Sequence, residues 1–164
     1  MVPPPHDWIK FNFDAIITPH ASFISVVGRD PNVQIISVYT AKDPPQSPAW
    51  SEAKAILLAI STTLNLGCKF VIYKSDAKIV IDSITCSLAD PPWEILSIIT
   101  DIRSLILCFS VVNFSFCYCS CNKLAHMLAC WASFSSTWGP QPIFSIPQWV
   151  FYKEVDGLIP PILP

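Results

Sequence analysis

The chain has 164 residues, of which 52% are hydrophobic and 13% are charged, and its formal net charge is −2. This length suits one domain with an ordinary hydrophobic core, and so apolar a composition argues against disorder outside the tails. A basic surplus, common in nucleic-acid-binding domains, is missing, so any such binding has to rely on metal ions and local contacts, or be weak.

The N-terminal segment predicts a protein that is not secreted. MVPPPHDWIKF is Pro-rich and then polar, whereas a secretory signal has a charged and then an apolar region. We therefore expect a cytosolic or nuclear protein whose 7 cysteines are reduced thiols. Residues 1–7 are predicted to form an N-terminal tail.

Three strands are predicted to follow the tail. Residues 8–17 alternate between apolar and polar side chains, which indicates a half-buried strand with Asp14 near its C-terminal end. Residues 22–29 and 33–40 are rich in β-branched and aromatic side chains, and the RDPN sequence between them is typical of a turn. Short connections between the three strands predict an antiparallel meander.

A helix is predicted from Ser47 to about Leu66. Ser47 can cap its N-terminus, Pro48 suits the first turn, and Gly67 favours its end. Glu52 would then lie in the first turn, where the helix dipole favours a carboxylate. Taken alone, Glu52 is an ordinary acid of a helix N-terminus.

The next segment predicts a buried strand followed by an acid. Residues 69–74 are nearly all apolar, as expected of a central strand. Asp76 follows and is predicted to open a helix that runs through Ile84, so the simplest interpretation of Asp76 alone is a helix N-terminal acid. A further helix is predicted over residues 93–107.

The stretch from Ser104 to Cys121 contains 18 residues without a formal charge, which is long enough for a membrane span. A helix ending near residue 107 followed by a strand over 110–118 is the better interpretation, so no membrane association is expected. Cys117, Cys119 and Cys121 would share one face of that strand. Zinc binding and small apolar packing are both open interpretations, although zinc sites usually use C-x-x-C pairs.

The chain is predicted to end in a helix and a tail. The last helix covers Asn122 to about Phe134, and residues 137–164 form a Pro-rich extended tail with, at most, a short strand at 149–152. Residues 8–136 would therefore form one α/β domain. Its expected fold is a five-stranded mixed sheet, three antiparallel strands and then two parallel ones, with helices on both faces.

Four short motifs, taken in the order in which they occur along the chain, resemble those of a known protein family. They are WIKFNFD, SEAKAILLAI, SDAKIVIDSI and NKLAHMLA, spread over roughly residues 8–134. Together they resemble the ribonuclease H type 1 domain of plant retrotransposon-like (reverse-transcriptase-like) proteins. The resemblance implies a ribonuclease H-like fold and an endonuclease that hydrolyses the RNA strand of RNA–DNA hybrids.

The resemblance also implies a metal site. Asp14, Glu52 and Asp76 would hold two Mg²⁺ ions, with Mn²⁺ as a possible substitute, and Asp14 would bridge the two. Glu52 and Asp76 would serve the leaving-group side, and Glu52 could also contact a ribose 2′-hydroxyl. His126 occupies the last catalytic position of the family, where many relatives carry an aspartate.

This chain departs from the family pattern in ways that bear on turnover. Neutral imidazole is a poor Mg²⁺ ligand and a better one for Mn²⁺, so His126 predicts weak activity that improves with Mn²⁺. The segment before Asn122, CYCSC, has no basic residue to meet phosphate, and Ala15 stands where relatives often carry Gly. The alternative is a catalytically weak or inactive retroelement-derived domain that only binds nucleic acid or a protein partner.

Overall fold

The computed structural model describes residues 3–86 and 90–152 as a central sheet with helices on both faces. Its strands are β1 (Ile9–Ile17), β2 (Ser22–Arg29), β3 (Ile35–Asp43), β4 (Phe70–Ser75), β5 (Val111–Phe116) and β6 (Gly139–Pro140). Its helices are α1 (Pro48–Asn65), α2 (Lys78–Thr85), α3 (Leu96–Leu105), α4 (Lys123–Phe134) and α5 (Trp149–Tyr152). Short 3₁₀ turns lie at Trp93–Ile95, Ile106–Cys108, Cys119–Cys121 and Ile143–Ser145.

The sheet has the strand order β5-β4-β1-β2-β3-β6. β1, β2 and β3 pair antiparallel, whereas β4 runs parallel to both β1 and β5. This arrangement confirms the predicted mixed sheet, with one addition. The two-residue strand β6 pairs antiparallel with β3, through Tyr39 and Thr40. Two residues are too few to show the alternating pattern that predicts a strand, so β6 is recognised only by its pairing with β3.

Helix α1 begins and ends at the residues that the sequence predicts. The Ser47 side chain accepts a hydrogen bond from the backbone N–H of Trp50 at 3.2 Å, and Gly67 after the helix has a φ of +69°. Glu52, however, is the fifth residue of α1 and not part of its first turn, which contains no acidic residue. The helix dipole is therefore not the main influence on Glu52.

Strand β1 is buried on both faces. Phe11 and Phe13 pack on the core that α1, α2 and α3 share with the sheet. The polar residues on the opposite face, Lys10, Asn12 and Asp14, are only 3%, 4% and 6% exposed. The prediction of a half-buried strand was wrong because α4 contacts β1 and β2 on this face.

The segment after α4 packs against the sheet, in contrast to the predicted extended tail. Ile146 and Val150 are 4% and 0% exposed and join a cluster with Leu124 and Leu128 of α4. Residues 149–152 form a helical turn, not the short strand that was expected. The remainder of the predicted tail, residues 153–164, lies outside the described residues, and the domain boundary at residue 136 stays a prediction.

The region between α3 and α4 corrects two further expectations. Within residues 3–86 and 90–152, the structure contains no helix with the length and hydropathy needed to span a bilayer. β5 ends at Phe116, and Cys119–Cys121 form a 3₁₀ turn. The three cysteines therefore do not share one face of a strand, and their spacing does not support a zinc site.

Candidate active site

The topology brings two acids to one rim of the sheet. β1 and β4 are parallel neighbours, and Asn12 pairs with Lys74 in their register. Asp14 and Asp76 each follow their member of this pair by two residues, so both lie at the same end. A cavity of about 490 Å³ opens there, and its lining residues are Asp14, Ala15, Asp76, Cys119, Lys123, His126 and Met127.

Asp14 is the most enclosed acid on the cavity wall. Its Oδ1 accepts a hydrogen bond from the Ala15 N–H at 2.9 Å, and its Oδ2 accepts one from His126 Nδ1 at 2.8 Å. Burial raises the pKa of Asp14, and the negative charge of Asp76 raises it further, while the bonds from His126 and Ala15 act in the opposite direction. Asp14 is thus a carboxylate whose negative charge is poorly compensated.

Glu52 reaches the same charge cluster from α1. It is not among the residues that line the cavity, but its side chain is close enough for Asp14 and Asp76 to influence it. Burial raises the pKa of Glu52 well above its usual range, and the two aspartates raise it further. Its Oε2 is buried without a hydrogen-bond partner among the described residues. A hydrogen bond between the Glu52 and Asp14 carboxyl groups adds to the raised pKa of Glu52, so a proton or a cation between the two would satisfy both.

Asp76 lies in the connection between β4 and α2. The helix begins only at Lys78, so Asp76 does not open it as predicted. Oδ1 of Asp76 accepts a hydrogen bond from Asn122 Nδ2 at 2.9 Å. Asp76 also raises the pKa of the Cys119 thiol, through a hydrogen bond and through its charge. Asp76 is hence a half-buried carboxylate on the cavity wall that Asn122 holds in place.

His126 lies on α4, one helical turn after Asn122. Its side chain is 57% exposed, and its Nδ1 lies 2.8 Å from Asp14 Oδ2. An ionised Asp14 can only accept, so Nδ1 of His126 carries the proton in this hydrogen bond. Nε2 faces the Cys130 sulfur at 3.8 Å. The structure thus brings His126 to Asp14, as the family resemblance implies.

Two residues of this site did not stand out in the sequence. Asn122 links Asp76 to β1, and Lys123 contributes a cation to the cavity wall. Both belong to the NKLAHMLA motif, so a signal was present. Asparagine and lysine at a helix start have common structural explanations, however, and only their contacts reveal the connection to the acids.

The donor set fits a hard divalent cation. Among the described residues, no three or more His, Cys, Asp or Glu side chains form a ready metal-binding group. The chemistry still points to a cation, since Asp14 and Glu52 have raised pKa values and Oε2 of Glu52 has no partner. Carboxylate oxygens are the ligands that Mg²⁺ and Mn²⁺ prefer.

The model of the reverse transcriptase-like family matches residues 12–132. The chain belongs to this family. The match begins at Asn12, within β1, and ends two residues before the end of α4, so it includes all four predicted site residues. No curated protein matches the chain. The plant and retrotransposon origin that the motifs suggested stays a prediction.

The solved structures similar to this one include ribonuclease H1 proteins and a viral protease-reverse transcriptase. Ribonuclease H1 from the halophilic archaeon Halobacterium salinarum is 15% identical, with a TM-score of 0.72 over 77% of this chain and 98% of that chain. LC11-RNase H1 in complex with an RNA/DNA hybrid is 14% identical, with a TM-score of 0.69 over 77% and 99%. The foamy viral protease-reverse transcriptase, also with an RNA/DNA hybrid, is 18% identical, with a TM-score of 0.64 over 77% of this chain and 20% of that one. These likenesses confirm the predicted ribonuclease H-like fold.

Proposed function

We propose that this chain is a divalent-metal-dependent endoribonuclease that hydrolyses the RNA strand of RNA–DNA hybrids. The observation that carries the proposal is the meeting of Asp14 and Asp76 in one cavity, beside the buried and partnerless Oε2 of Glu52. Two of the similar structures hold an RNA/DNA hybrid, which supports the hybrid as the substrate class.

Asp14, Glu52 and Asp76 are the residues that would hold the ions, two Mg²⁺ or Mn²⁺ by family resemblance. Carboxylates with raised pKa values repel one another, and a divalent cation relieves both the repulsion and the desolvation. When bound, the ions supply electrostatic stabilisation of the charge that develops on the phosphate and on the leaving oxygen.

Other groups of the chain would orient the substrate and handle protons. The hydrogen bond from Nδ1 to Asp14 leaves Nε2 of a neutral His126 with a lone pair, which suits it to accept a proton from an attacking water. Lys123 is a cation on the cavity wall and fits a phosphate oxygen of the bound strand. A contact between Lys123 and phosphate would partly replace the contacts of the basic residues that are missing from residues 117–121.

A second candidate function is a silent domain that binds nucleic acid or a protein partner without cleavage. The 2.8 Å bond from His126 favours this alternative because it occupies Oδ2 of Asp14, an oxygen that a metal ion would need. The net charge of −2 points the same way, since it offers little attraction for a polyanion.

Cleavage of an end-labelled RNA–DNA hybrid, with Mg²⁺ and Mn²⁺ in parallel, distinguishes the two functions. We expect weak cleavage that is faster in Mn²⁺, that disappears in Asp14→Asn, and that becomes faster in Mg²⁺ in His126→Asp. Asp101→Asn, an exposed acid of α3 away from the cavity, is the matched control and should cleave normally. Hybrid binding without cleavage in either metal would establish the silent domain instead. If His126→Asp is no faster than wild type in Mg²⁺, the prediction that His126 weakens cleavage in Mg²⁺ is refuted.

The cytosolic or nuclear location belongs to the same proposal. It rests on the 7 cysteines, an odd number, which suit a compartment where thiols stay reduced. Immunofluorescence of the tagged full chain, compared with a secreted control, would test the location directly.

A further inference from the structure

Two buried asparagines connect Asp76 to β1, the strand that carries Asp14. Asn12 of β1 and Asn122 at the start of α4 are 4% and 2% exposed. Asn122 Nδ2 donates to the backbone oxygen of Phe13 and to Asp76 Oδ1, both at 2.9 Å. Asn122 Oδ1 accepts from Asn12 Nδ2 at 3.0 Å. One amide therefore joins β1, the end of β4 and α4.

The orientation of the Asn122 amide follows from its partners. The oxygen of Phe13 and the ionised carboxylate of Asp76 only accept, so Nδ2 must face both of them. Oδ1 then has to face a donor, and Asn12 Nδ2 is that donor. The donor at position 12 thus completes the hydrogen bonds of the Asn122 amide in the orientation that Phe13 and Asp76 require.

We propose that Asn12 and Asn122 are positioning residues that hold the Asp76 carboxylate beside Asp14 and thereby set the affinity of the site for a divalent cation. The inference rests on the proposed function for the presence of the cation. Asn122 contacts Asp76 but does not line the cavity itself, so it acts through the carboxylate. Hydrogen-bond partners of metal ligands commonly influence metal affinity by roughly 10–100-fold.

The test is the affinity for Mn²⁺, measured by electron paramagnetic resonance on the full chain without nucleic acid. We expect Asn122→Ala to bind Mn²⁺ roughly 10–100-fold more weakly than wild type. Ser25→Ala is the matched control, because Ser25 Oγ donates to the Ala125 oxygen at 2.6 Å and also ties the sheet to α4. It should lose stability without losing Mn²⁺ affinity.

Substitutions at Asn12 test the orientation argument without removing Asn122. Asn12→Asp replaces the donor by an acceptor that repels Asn122 Oδ1, so it should displace the Asn122 amide from Asp76 and weaken Mn²⁺ binding. Asn12→Ser keeps a donor and should bind Mn²⁺ more tightly than Asn12→Asp. The side-chain amide signals of Asn122, which NMR resolves, should be slow to exchange in wild type and fast in Asn12→Asp.

The outcomes separate this inference from the proposed function. If Asn122→Ala keeps the wild-type Mn²⁺ affinity, or if the two Asn12 variants bind Mn²⁺ equally, the positioning role is refuted. Mn²⁺ binding that depends on Asn122, together with no hybrid cleavage, would leave the positioning role standing and refute the nuclease. A wild type that binds no Mn²⁺ overturns both.

Discussion

Replacing Glu52 by Gln should stabilise the protein in the absence of metal at pH 8. Burial and the charges of Asp14 and Asp76 raise the pKa of Glu52, so the folded state holds a proton that the unfolded chain has released. The contribution of Glu52 to stability is complete below its unfolded pKa and is lost as the pH rises through its folded pKa. At pH 8, above the unfolded pKa, burying Glu52 therefore costs wild type folding free energy, either as a retained proton or as a buried charge, and glutamine avoids this cost.

The structure sets the scale of this effect. Oε2 of Glu52 is buried without a partner, and an unsatisfied buried polar atom costs about 1–3 kcal/mol, more when it is charged. The amide of a glutamine would instead donate a hydrogen bond to an acidic neighbour. We expect Glu52→Gln to gain about 1–3 kcal/mol without metal. For a domain of this size that corresponds to a rise of roughly 2–4 °C in Tm for each kcal/mol.

Thermal unfolding followed by circular dichroism, in chelator at pH 8 and at about pH 4, measures the effect. About pH 4 lies near the unfolded pKa of a glutamate, so the advantage of Glu52→Gln should shrink there. Glu94→Gln, a glutamate outside the cavity lining, is the matched control and should show no such pH dependence. Adding Mn²⁺ should stabilise wild type more than Glu52→Gln. A variant that is less stable than wild type at pH 8, or equally altered at both pH values, would refute the reasoning.

Three further changes test other parts of the molecule. Lys123→Gln should weaken hybrid binding, and the slope of log affinity against log salt should fall by about 1, because one phosphate contact is lost. Ile146→Ala should cost roughly 2–5 kcal/mol in urea unfolding, since this side chain is 4% exposed, whereas Ile143→Ala, at 43% exposed, should cost far less. Gly28→Ala should cost about 1–3 kcal/mol, because its Cβ would lie 2.6 Å from Cε1 of Phe11; if stability is unchanged, the packing of β1 on β2 is looser than described.

Local sequence signals determined most of the secondary structure. The Ser47 cap, Pro48 and Gly67 define α1 within about one residue, and the alternation of residues 8–17 locates β1. These signals act between near neighbours in the chain, so the sequence carries them directly. The motif order also predicted the ribonuclease H-like fold, and the predicted strand order placed Asp14 and Asp76 at one rim of the sheet, where the structure has them.

Tertiary packing alone decided the environment of those residues. The polar face of β1 is buried because α4 lies on it, and Ile146 and Val150 belong to the core because they meet α4. The charge environment of Glu52 and the bond from Asn122 to Asp76 depend on contacts between segments far apart in sequence. The residue types that carry chemistry were visible in the sequence. The hydrogen bonds and desolvation that set their chemistry arise only when distant segments pack together, and no local pattern encodes them.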